Sequence, residues 1–291
     1  MSRAVRTLSA AVVLSAVSAV PAAAVPAEWQ SVGAGITSGV SGAAVIARDG
    51  DRVEALIVRD NKQPSENRAA RVVYAGGRVA DVQPLRWVGA EPVDLEAVEP
   101  IPGTGNEYIA LASDGSAFRV RLESGQVSVL AQFSLPKGDG EDNYESFALA
   151  PQDGGLVAVW ADRGGDKRPA TIYSAEFDPQ ALTFGSVHSV EFQAPAPDQN
   201  VRHASDAEVT PEGGLVVSSA SDTGDDGPFE SVVYRVGELA GGRVELASKP
   251  AVLGEYPDHK IEALARLSDS ADDLLLGTDD ENGGGWVRTS R

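Results

Sequence analysis

Cysteine is absent from this 291-residue chain. The absence removes disulfides, thiolate metal sites and a lipidated cysteine anchor at one stroke. Histidine occurs three times, methionine once, and aromatic residues make up only 6% of the chain. Positive charge is scarce as well: 24 Lys and Arg stand against 43 Asp and Glu, a formal net charge of −19. Such a surface repels nucleic acid and anionic lipid and attracts cations, so neither nucleic acid nor a membrane is expected as a partner. Catalytic signatures are missing too. There is no G-x-S-x-G and no Walker A loop, which leaves neither a nucleophile elbow nor a phosphate cradle. "DTGDDGPFESVV" opens like an EF-hand but carries Gly224 at its third position and Val233 at its twelfth, and "DDENGGGWVRTS" lacks the closing Glu as well.

Long apolar runs are confined to the N-terminus. Arg3 and Arg6 precede "LSAAVVLSAVSAV" (Leu8–Val20), and "PAAAVPA" offers small-residue cleavage sites after Ala24 or Ala27. That pattern predicts a secretory signal peptide over 1–24, too short for a membrane anchor, and a secreted or periplasmic protein. Residues 25–291 are then a single domain, expected to be a monomer, and long enough to be held by its own core without disulfides.

Within that domain the apolar segments are short, β-branched and alternating, as in "ARVVYAGG", "AFRVRL" and "SVVYRV", with Gly, Asp, Asn and Pro between them. This reads as all-β. The segments also repeat. "YESFALAPQDGGLVAVWAD" (144–162) and "IEALARLSDSADDLLLGTD" (261–279) share an acid, a small residue, an apolar strand, a turn, a second apolar strand and a closing Asp. The acid stands 17 residues before the Asp in both. Residues 204–222 repeat the pattern with Ser205 in the acid's place, 95–114 with Glu96, and 41–60 with Gly42. The closing aspartates Asp60, Asp114, Asp162, Asp222 and Asp279 are 54, 48, 60 and 57 residues apart. Two further strands follow each pair, and a period of about 55 predicts a five-bladed β-propeller. The last unit stops after its third strand, "GWVRTS", while an orphan strand, "EWQSVGAG" (28–35), precedes the first. That N-terminal strand is expected to complete the last blade and close the ring, leaving no free edge.

In such a ring the repeat acid and the closing Asp of each hairpin share one face. Glu96, Glu145, Ser205, Asp206 and Glu262 then gather around the channel mouth. Carboxylates converging on one axis repel unless a cation or proton intervenes, and oxygen donors without cysteine favour Ca²⁺ or Mg²⁺. Acids at strand ends also serve structure alone by accepting backbone N–H bonds. His203 and His259 lie two and three residues before the repeat acid position in adjacent blades and are placed at the mouth, to orient a substrate or act as general base. Arg163, Arg168 and Lys260 are the cations expected there to hold a substrate anion.

The "E-small-apolar" hairpins, Glu96-Ala97, Glu145-Ser146 and Glu262-Ala263, resemble secreted propellers of the esterase-like phytase type. The inner-strand pattern is also similar to that of calcium-activated nucleotidases (apyrases), and this resemblance implies a central calcium held by Ser41, Glu96, Glu145, Ser205 and Glu262. Gly42 departs from the pattern where an acid follows the first serine.

Three functions fit these residues. The first is a metal-dependent hydrolase of phosphoric esters, the ion polarising a phosphoryl oxygen and Glu145, Glu262 or His203 acting as base. The second is a non-catalytic propeller binding a small-molecule or polymer ligand or a partner at its mouth, with a structural cation or none. The third is a glycoside hydrolase using paired inner-strand carboxylates, which requires two carboxyl groups about 5–9.5 Å apart.

Overall fold

The computed structural model describes residues 28–138, 140–152 and 154–291. The signal peptide expected over 1–24 lies outside them. The described chain is all-β, with two single-turn 3-10 segments, Ile36–Ser38 and Glu281–Gly283. No helix among the described residues is long and apolar enough to cross a membrane.

The strands run as successive antiparallel meanders. The first is β1 (Gln30–Gly33), which stands apart, followed by β2 (Gly42–Asp49), β3 (Arg52–Val58), β4 (Ala69–Ala75) and β5 (Arg78–Val88). Next come β6 (Leu95–Pro100), β7 (Glu107–Ala112), β8 (Ser116–Glu123) and β9 (Gln126–Ser134). The third meander is β10 (Tyr144–Gln152), β11 (Gly155–Asp162) and β12 (Ala170–Asp178), with β13 (Thr183–Phe184) and β14 (His188–Phe192) both pairing β12. The fourth is β15 (Val201–Val209), β16 (Gly214–Ser221), β17 (Glu230–Ala240) and β18 (Arg243–Pro257). β19 (Ile261–Arg266), β20 (Leu274–Asp279) and β21 (Gly285–Thr289) come last. β1 adds to this last group as its fourth strand, antiparallel to β21, with Gln30 opposite Val287 and Ser31 opposite Trp286.

Turn chemistry sets the hairpins. Gly76 and Gly77 join β4 to β5 with Ala75 opposite Arg78, and both have positive φ, 59° and 75°. A two-residue type I′ turn needs that conformation at both positions, and glycine adopts it without a Cβ clash. Gly241-Gly242 repeats the device between β17 and β18.

Alternation along each strand buries one set of side chains against the preceding meander and the other against the next. Leu56 and Tyr108 belong to the core between the first and second meanders, and Leu111 and Trp160 to that between the second and third. Val159 and Leu215 join the third to the fourth, and Val216 and Leu276 the fourth to the last. Ile57 packs with Leu275, Val287 and Val32, so the last meander shares a core with the first. Trp160, fully buried and stacked on Tyr173 at 5.5 Å, lies between meanders. One feature departs from the expected separation of units. The outer strands β5 and β9 pair in parallel over Arg86–Val88 and Gln126–Ser128, merging two meanders into one eight-stranded sheet.

Candidate active site

Glu96, Glu145 and Glu262 owe their direction to a repeated backbone irregularity. Leu95 pairs with Ala112 and Ala97 with Leu111, so Glu96 is an extra residue with no opposite partner. The same shift isolates Glu145 between Tyr144 and Ser146, and Glu262 between Ile261 and Ala263. A bulge re-aims the extra side chain out of the sheet's alternation. Here it turns three glutamates into one cavity of about 370 Å³. In β15 the shift spans Arg202 to Asp206. β2 has no such shift at its start, and a Cβ on Gly42 would stand 2.8 Å from Ala97 Cα and 2.9 Å from Val98 N. The first repeat lacks the acid because the backbone of β6 fills the space.

Four cations share the cavity. Arg202 Nη1 lies 2.6 Å from Glu262 Oε1 and 3.6 Å from Glu145 Oε2, and its other nitrogens hold Asp222. Arg163 Nη1 is 3.4 Å from Glu145 Oε1. Lys260, 1% exposed, meets Glu262 Oε1 at 3.2 Å and also pairs with Glu281. Lys62 holds Asp94 at 2.9 Å.

Burial dominates the titration of the acids. It pushes Glu145 up to about 7, with Arg202 and Arg163 opposing and Glu262 adding to the rise. It pushes Asp279 up to about 8 and Asp60 to about 6, in each case with Glu262 as the next contribution. Glu96 also rises, from burial first and then from Glu145, Glu262, Asp94 and Asp60. Burial works against the Lys260 ammonium, yet Glu262, Asp279 and Glu281 outweigh it and raise its pKa.

Of the residues named from sequence, Glu96, Glu145, Glu262, Arg163 and Lys260 line this cavity. The others are engaged elsewhere. The His203 ring is held between two backbone groups: its Nδ1 accepts from Ala194 N at 3.2 Å, so Nε2 donates to Asp166 O at 3.0 Å, and burial lowers its pKa. A base at the mouth needs a free nitrogen, and His203 has neither. His259 binds Asp280 through Nδ1 at 2.6 Å and lies on Trp29, ring centroids 4.4 Å apart. Arg168 forks onto Asp162, at 2.5 and 3.0 Å. Asp206 accepts from Leu264 N and Ala207 N, tying β15 to β19. The Ser41 and Ser205 hydroxyls are buried without a hydrogen-bond partner.

Two members of the donor set implied for calcium, Glu145 and Glu262, are bridged by Arg202, and the neighbouring Asp206 carboxylate accepts two backbone N–H groups. Among the described residues no group of three or more His, Asp or Glu side chains is arranged to hold a metal ion.

The repeat pattern does not single out Arg202, Lys62 and Asp94 as mouth residues, and it marks Asp60 only as a closing aspartate. Arg202 carries a usable signal: it is a basic residue on the inner strand of the one repeat that puts serine in the acid's place.

No family model matches the chain, and no curated protein matches it. Solved structures do match its fold. An α-L-arabinofuranosidase of Podospora anserina, in complex with cellotriose, superposes with a TM-score of 0.50 at 10% identity, over 91% of this chain and 97% of that one. The catalytic domain of an α-L-arabinofuranosidase of Coprinopsis cinerea gives 0.52 at 12% identity, over 91% and 97%. A third, described as a glycoside hydrolase, gives 0.50 at 9%, over 87% of this chain and 61% of its own. This chain has a β-propeller fold. None of the three is a phytase or a nucleotidase, so the phosphoric-ester expectation gains no support from them.

Proposed function

We propose that the protein is a glycoside hydrolase whose reacting groups are Glu145 and Glu262, set in a propeller of five blades closed by β1. The closure reading rests on the β1–β21 pairing and on the core shared by the last and first meanders. The functional reading rests on one observation: both carboxylates reach the same nitrogen, Arg202 Nη1, at 3.6 and 2.6 Å. Their oxygens are therefore no more than roughly 6 Å apart, a limit that admits the about 5–5.5 Å of a retaining pair and excludes the widest inverting spacings.

Two carboxyl groups with contrasting surroundings divide acid from nucleophile. Glu145, raised to about 7, is about half protonated at neutral pH and increasingly so below it. Glu262 sits between two cations that both contact Oε1, leaving Oε2 unengaged. Glu145 protonates the departing glycosidic oxygen as the bond to the anomeric carbon breaks, and Glu262 Oε2 bonds to that carbon. Water then attacks the same carbon, giving its proton to Glu145 and releasing Glu262. Arg202 and Lys260 hold Glu262 in position throughout. The neighbours' glycosidase identities and the bound cellotriose of one favour an oligosaccharide or polysaccharide as the ligand at this mouth.

The test is the anomeric configuration of the first-formed sugar, read by NMR during hydrolysis. Retention is expected. Inversion, or hydrolysis undiminished in Glu145→Gln and Glu262→Gln, overturns the assignment.

A further inference from the structure

The mouth is unlike the largely apolar clefts that bind neutral ligands. Twelve of its seventeen lining residues are charged, eight acids against four bases, and none is aromatic. Each base is already engaged by an acid: Lys62 by Asp94, Arg163 by Glu145, Arg202 by Glu262 and Lys260 by Glu281. Four acids remain; Gln63 N donates to Glu66 and Glu281 N to Asp279, so the unpartnered surplus falls on Glu96 and Asp60.

Glu96 is the sharper case. It is 7% exposed, lines the cavity and forms no hydrogen bond or ion pair with any described residue. The side chain is largely buried but its oxygens open onto the cavity, so water or a ligand there must satisfy them. The nearby backbone supplies no partner, because the bulge that isolates Glu96 also turns it away from the ladder. A group that satisfies Glu96 and Asp60 together must bring positive charge and several N–H donors. On the rim Ile36, 47% exposed, offers an apolar surface for the C–H face of a ring.

We propose that the mouth recognises a sugar carrying a free primary ammonium group, an amino sugar, through Glu96 and Asp60. This names the substrate class of the hydrolase site and rests on that reading. The ammonium donates to the Glu96 carboxylate and to Asp60, supplying the counter-charge the chain withholds. Glu96 faces Glu145, Glu262, Asp94 and Asp60, and its charge also acts on Lys62; these acids together with burial favour its protonated form. An arriving ammonium reverses that balance, so binding near neutral pH releases a proton from Glu96.

The experiment is calorimetric titration at pH 7, in EDTA, of the purified protein with a glucosamine tetrasaccharide and with its fully N-acetylated counterpart. At least tenfold tighter binding of the free amine is expected. Its enthalpy is expected to depend on the buffer's ionisation enthalpy, as proton release requires. Glu96→Gln abolishes the preference and the proton release; Asp60→Asn weakens the preference, and melting curves confirm both folds. Equal binding of the two sugars, no binding of the free amine, or a preference retained in Glu96→Gln overturns the proposal. Reducing ends counted in the same samples separate the two readings. Tight free-amine binding without cleavage keeps the amino-sugar site and removes the hydrolase. Cleavage of both sugars without preference does the reverse.

Discussion

Arg202 reaches from β15 to Glu262 on β19, Nη1 to Oε1 at 2.6 Å, and so ties two blades together at the mouth. Its side chain is 14% exposed and that of Glu262 3%. Removing one partner of a buried pair leaves the other charge uncompensated, at about 3–5 kcal/mol. Arg202→Met is expected to lower stability in urea by that order. Arg202→Met/Glu262→Met should recover part of the loss. A single variant as stable as wild type contradicts the tie.

The raised carboxyls give stability a definite pH slope. Glu145 and Asp279 bind protons more tightly folded than unfolded, titrating at about 7 and about 8 against ordinary carboxyl values. Stability therefore falls as pH rises from the unfolded values near 4 toward 8. Each pH unit separating a group's folded and unfolded titration counts about 1.4 kcal/mol. Carboxyls lowered by arginines, such as Glu54 and Glu107, act only below that window, where their stabilisation fades as pH falls. Melting temperature is expected to drop between pH 5 and pH 8, and Glu145→Gln to flatten the slope. A rise over that interval contradicts the account.

Much of this arrangement is legible in the chain. The repeated hairpins imply the strand order, and an orphan strand facing an incomplete last unit announces β1. Glu96, Glu145 and Glu262 are recognisable because one acid recurs at one register. Their aim into the mouth depends on bulges, which the repeat marks only as a constant spacing. Other side chains are not legible, because tertiary partners decide them. Arg168 is drawn to Asp162, which is fully buried and in need of a cation. His203 is taken by the backbone of Ala194 and Asp166, brought close only by folding. Arg202 escapes a reading by repeats because its acids come from three different strands or their ends.

The edge that β1 covers supplies a second stability test. Val32, 6% exposed, packs beside Val287 and Leu275, and β1 occupies the free side of β21. A chain beginning at Ser38 loses that cover and exposes an unpaired strand edge. Insoluble protein, or a clearly lowered melting temperature, is expected. Melting indistinguishable from that of the chain beginning at Val25 contradicts closure by β1.

The central claim is that Glu145 and Glu262 together break glycosidic bonds. Its most direct test is reducing-end release from a panel of neutral and amino-sugar polysaccharides by wild type, Glu145→Gln and Glu262→Gln, each verified as folded. Wild type is expected to cleave at least one polysaccharide, and both variants to lose on the order of 10²–10⁴-fold in rate. Cleavage that survives in either variant, or none by wild type across the panel, contradicts the claim.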